Sequence, residues 1–166
     1  FGKFKEIVLF DTLVDKLTTD EIIAVLAHEI AHGKFKDAWR MMFQQVLILG
    51  LYVAIIGFTV SSDALAQAFG LSGAHFGFGL LLFFILVEPI GLILSILTNH
   101  LSRVAEYRAD RYAASMGYKD AMQNAFCKLA RENFAQLTPH PLYVFFYYSH
   151  PSIPDRLEAI AAVSDA

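Results

Sequence analysis

The sequence predicts a mainly α-helical chain integrated in a membrane, with a two-helix hairpin inserted between two helices that carry polar, metal-ligating residue types. Three observations lead there. Apolar residues make up 56% of the 166 positions and charged residues 17%, a balance far greasier than that of soluble proteins. Two apolar stretches, 41–60 and 76–98, are each long enough to cross a bilayer as a helix. The segments on either side of them place His, Glu and Asp at helical spacing. At this length residues 1–166 are read as a single domain that includes both spans.

The elements follow in order. Glu6 to Phe10 reads as a short strand. The next segment is a helix from Thr19 to His32, opened by a capping box in which Thr18 caps and Glu21 lies three residues on. Ile22, Ile23, Val25, Leu26, Ile30 and Phe35 are expected to form its apolar face. Met41 to Val60 is interrupted by strongly polar side chains only at Gln44 and Gln45, and twenty residues of helix span about 30 Å. Phe76 to Thr98 is the second span and contains Glu88-Pro89. A carboxylate at mid-span is expected to face protein or water, and Pro89 to kink the helix. Gly117 is expected to end the helix that follows. Further helices are expected over Asp120–Phe134 and Pro154–Val163, the latter with Pro154 in its first turn. The aromatic run Tyr143 to Tyr148 reads either as a lipid or prenyl pocket lining or as interface-belt and core packing.

The chemistry centres on His28-Glu29-Ile30-Ala31-His32. Residues four apart share a helix face, so His28 and His32 can direct two imidazoles at one metal. Zinc accepts such ligands and in catalytic sites uses three protein ligands plus a water. Glu29, beside the first ligand, can take a proton from that water, whose pKa zinc lowers to about 7. The alternative is two core histidines on an amphipathic helix. The best third ligand is Glu106, with Asp110 four residues further on the same face. Asp110 can accept the free N–H of a ligand histidine and fix its orientation. The bland reading of this pair is a solvated face paired with Arg103, Arg108 and Arg111.

At these residues the chain resembles the membrane zinc metallopeptidase family of the type I CaaX prenyl protease, to which the bacterial heat-shock membrane metallopeptidases are related. The matching segments are residues 7–13, 26–34, 101–103, 106–110 and 149–151, followed by Arg156-Leu157. The resemblance implies a zincin-like arrangement of catalytic helices, with the strand in a sheet beside the zinc helix. It implies one Zn2+ held by His28, His32 and Glu106, with Glu29 as general base and Asp110 supporting a ligand histidine. His150 would stabilise the oxyanion with Arg156 nearby, and Asn99 would help there. Taken alone, His150 is a turn residue, Arg156 a surface cation and Asn99 a helix cap. The resemblance also implies spans and a strand upstream. Together with the start at Phe1-Gly2-Lys3, it suggests the C-terminal catalytic part of a longer protein, not fully active alone.

Topology and composition bound the remainder. Two crossings return the chain to one side, so His32 and Glu106 can meet although more than seventy residues separate them. Lys34, Lys36 and Arg40 precede the first span and Arg103, Arg108 and Arg111 follow the second, while 61–75 has neither Lys nor Arg. The positive-inside rule places the ligands on the cytoplasmic side. A net charge of −3 and the lack of a basic stripe argue against nucleic acid. Cys127, the lone cysteine, reads as a packed thiol. The expected function is zinc-dependent endoproteolysis of a peptide or protein substrate, including C-terminally prenylated ones, at the lipid bilayer. The competing readings are a quality-control peptidase for misfolded membrane proteins and a non-catalytic metal-binding or transport protein.

Overall fold

The structure is a computed structural model that describes residues 11–164. The described residues are mainly α-helical and contain no strand; the expected strand at Glu6–Phe10 lies outside them. The helices are α1 (Asp11–Lys16), α2 (Thr19–Lys34), α3 (Asp37–Ser61), α4 (Asp63–Ala68), α5 (Phe76–Ala113), α6 (Lys119–Glu132), α7 (Pro141–Tyr147) and α8 (Ile153–Ala161). The chain divides into two units, one of residues up to 38 and from 99 onward, the other of residues 39–98.

The first unit is built on small side chains. Its core joins Ala24 and Ala27 of α2, Ala113 and Ala114, Met122 and Phe126 of α6, and Ile160 of α8. The capping box opens α2: Glu21 accepts from the Thr18 backbone at 2.7 Å, and Lys128 of α6 donates to the same carboxylate at 2.7 Å. That lysine, countered by partial burial, holds the Glu21 carboxyl below its ordinary value. The buried face of α2 is Glu21, Ala24, Ala27, His28 and Ala31, not the expected apolar stripe. Ile23 and Ile30 are 36% and 52% exposed. Alanines bring the α6 backbone close, so the buried face is the one carrying His28, and bulk alone misidentifies it. A π-helical turn at Ala114–Tyr118 follows α5, and Gly117 at φ 89° breaks the helix there, as its sequence position suggested. Cys127 is exposed while its neighbours Ala125 and Phe126 are buried. This corrects the packed-thiol expectation, because α6 turns Cys127 away from α2.

The second unit is an antiparallel pair formed by α3 and α5, joined through α4. A Cβ on Gly79 would lie 2.4 Å from the Thr59 carbonyl, and one on Gly91 3.3 Å from the Tyr52 hydroxyl. Only glycine permits the first approach. Both helices are long and apolar enough to cross a membrane. Their large apolar side chains stay outside, with Phe43, Leu49, Phe84 and Ile93 59–67% exposed. Pro89 lies inside α5 without ending it. The second span and the Glu106 segment, read separately from the sequence, form one helix of 38 residues. No residue between Thr98 and Ala113 interrupts it. Glu88 is exposed on this unit.

Candidate metal centre

The first unit gathers its functional side chains from α2, α5, the α7–α8 loop and α8. His28 and His32 lie one helical turn apart, with their Nε2 atoms 3.1 Å from each other. Glu106 of α5 stands 3.5 Å from each: Oε2 from His28 Nε2 and Oε1 from His32 Nε2. These three are the residues among those described that form a potential metal-binding group. Tetrahedral coordination with bonds of about 2.0–2.1 Å spaces the ligand atoms about 3.3 Å apart. The observed separations bracket that value.

The tautomers point the same way. His28 Nδ1 is 2.9 Å from Asp110 Oδ1, a close but bent contact that is Coulombic more than an aligned hydrogen bond. His32 Nδ1 is 3.0 Å from Asp37 Oδ2. A carboxylate beside each Nδ1 favours the proton there and leaves a lone pair on Nε2. Two such lone pairs and a carboxylate then converge on one point, an arrangement that repels itself unless a cation balances it.

Arginines hold the carboxylates. Arg156 of α8 donates to Asp110 through Nε at 2.8 Å and Nη2 at 2.6 Å, and its Nη2 is 3.1 Å from Glu106 Oε2. Its guanidinium stacks 4.1 Å over Phe126. Burial opposes the charge on Asp110, but Arg156 and His28 more than offset it and keep its pKa below the usual carboxylate range. Arg156, expected near the oxyanion, therefore spends these donors on the carboxylates.

Glu29 is exposed on α2 beside His28. His150, in the loop after α7, brings Nε2 to 3.5 Å from Glu106 Oε1 while its side chain stays 63% exposed. Asn99, expected to help at the oxyanion, has its amide engaged with the backbone of α7. Its Nδ2 donates to the Phe146 carbonyl at 2.9 Å, and Arg103 donates to Val144 and Tyr148 carbonyls at 3.1 and 2.5 Å. Both α5 side chains thus tie down the C-terminal end of α7, just before Ser149 and His150. Tyr143, Phe145 and Tyr147 on α7 are 46–61% exposed. Asp37 is the group that the sequence reading missed. It lies beyond the turn that ends α2, where no helical spacing rule connects it to His32.

Comparison with known proteins agrees with this geometry. The model of peptidase family M48 matches residues 1–164. The chain belongs to peptidase family M48. It is 37% identical over 163 residues to the CAAX prenyl protease 1 homolog of Arabidopsis thaliana, covering 96% of this chain and 38% of that protein. It is 35% identical to CAAX prenyl protease 1 of Saccharomyces cerevisiae, covering 97% of this chain and 39% of that one. The crystal structure of S. mikatae Ste24p superposes with a TM-score of 0.79 at 32% identity, over 92% of this chain and 39% of that one. The M48 chain thus spans well under half the length of these relatives.

Proposed function

We propose that this chain carries the catalytic centre of an integral-membrane zinc endopeptidase, with one Zn2+ held by His28, His32 and Glu106. The observation that carries the reading is the convergence of two Nε2 lone pairs and a carboxylate at separations of 3.1–3.5 Å. When bound there, zinc supplies Lewis acidity for the scissile carbonyl and acidifies a water. Glu29, exposed and adjacent to His28, accepts the proton of the attacking water and passes it to the leaving amine. His150, open to solvent at the rim, donates to the developing oxyanion. Asp110 and Arg156 keep His28 and Glu106 oriented. Asn99 contributes through the α7 end that precedes His150.

The domain is proposed to be one catalytic unit with the α3–α5 hairpin inserted through the bilayer. Exposed apolar side chains along both helices support this, and the cationic flanks support a cytoplasmic side for the centre. The CAAX prenyl proteases among the relatives support a C-terminally prenylated protein as substrate. Glu29→Gln tests the mechanism: zinc content should stay near one per chain while hydrolysis of a farnesylated CaaX peptide is lost. Retained turnover would remove Glu29 from its role. Cleavage of an unfolded membrane protein in preference to the farnesylated peptide would favour the quality-control reading instead.

A further inference from the structure

Asp37 opens α3 within the unit that holds the metal donors, and it is only 5% exposed. A carboxylate buried this far requires strong partners. One is His32, whose Nδ1 lies 3.0 Å from Asp37 Oδ2. Another is Arg108 of α5, whose Nη2 donates to Asp37 Oδ1. The turn between the helices makes this contact. α2 ends at Lys34, Phe35 caps it, and Lys36 takes φ 58°, which reverses the chain so that the first residue of α3 faces back toward His32. His28 has a matching arrangement, with Asp110 at its Nδ1 and Arg156 behind Asp110. Each donor histidine thus has a carboxylate, and each carboxylate an arginine.

We propose that Asp37 is the positioning residue of His32. It holds the imidazole in the Nδ1–H tautomer with Nε2 aimed at the metal, and Arg108 holds Asp37. The inference rests on the zinc reading of His28, His32 and Glu106 and adds to it the device that orients the second histidine. The competing explanation is a structural staple that merely closes the α2–α3 turn. A staple contributes equally with and without metal, whereas a positioning residue acts on the metal-bound form.

The test uses the full chain in lipid nanodiscs, with zinc affinity read by competition against a chelator of known affinity. Asp37→Ala and Asp37→Asn should each weaken zinc binding about 10–100-fold. Arg108→Met should weaken it less, because Asp37 remains. In the Co2+-substituted protein, Asp37→Asn should shift the ligand-field bands. Asp37→Ala/Arg108→Met should stay as weak as Asp37→Ala alone. Unchanged zinc affinity in folded Asp37→Asn would overturn the proposal. So would full recovery in the double variant, since Asp37 would then serve only to neutralise Arg108. If Asp37→Ala fails to fold, the Asp37→Asn affinity and the His32 tautomer decide. A 15N spectrum of zinc-loaded wild type should show His32 protonated at Nδ1, and Nε2 protonation there would also overturn the proposal. Wild-type chain that binds no stoichiometric zinc would instead remove the peptidase reading itself.

Discussion

At the scale of single residues, local helix geometry brings together most of the candidate metal centre. His28 and His32 are four apart in an uninterrupted helix, so their convergence is legible from sequence. Glu106 and Asp110 are legible for the same reason, but their partners are not. The bland alternative paired them with Arg103, Arg108 and Arg111. The structure instead sends Arg103 to α7 carbonyls and Arg108 to Asp37, and brings Arg156 from α8 to Asp110. Long side chains choose partners through tertiary packing that no spacing rule encodes. The Asp110–Arg156 pair is buried, with side chains 0% and 9% exposed. Arg156→Met should therefore leave an uncompensated buried carboxylate and cost about 3–5 kcal/mol, measured by denaturant unfolding of the metal-free protein. Arg156→Lys should restore only part of this, since it loses the two-point contact. A loss below about 1 kcal/mol would mean that water, not Arg156, satisfies Asp110.

At the scale of elements, caps and breakers were readable while buried faces were not. The Thr18–Glu21 capping box and the Gly117 break stand where the sequence put them. The buried face of α2 did not follow apolar bulk, because alanines at 24 and 27 let α6 approach. Thr18→Ala should destabilise the fold by about 1 kcal/mol. Gly117→Ala should cost about 1–2 kcal/mol, since an L side chain at φ 89° is strained although space is open. Both are read as shifts in the unfolding midpoint. Glu21 adds a pH dependence. Its folded pKa is depressed, chiefly by Lys128, so its contribution is present at neutral pH and is lost as pH falls through that depressed value. Lys128→Met should flatten this acid-side loss. An unchanged acid limb in that variant would show that Glu21 does not depend on Lys128.

At the scale of the whole molecule, the greasy composition and the two long apolar runs made the pair of long apolar helices legible, although the helix boundaries were not. Continuity of α5 through residues 76–113 depends on there being no breaker after Thr98, a weaker signal than hydropathy. The lone Cys127, exposed on α6, gives a direct topology probe. A membrane-impermeant maleimide should label it from the cytoplasmic face and not from the opposite one, and labelling from the opposite face would reverse the proposed orientation. Alkaline carbonate should leave the chain in the membrane fraction. The most direct test is an anomalous-scattering map of the crystallised protein recorded at the zinc edge. A single peak within about 2.0–2.2 Å of His28 Nε2, His32 Nε2 and a Glu106 oxygen is expected. A zinc-replete crystal with no peak there, or with Glu106 outside the ion's coordination, would contradict it.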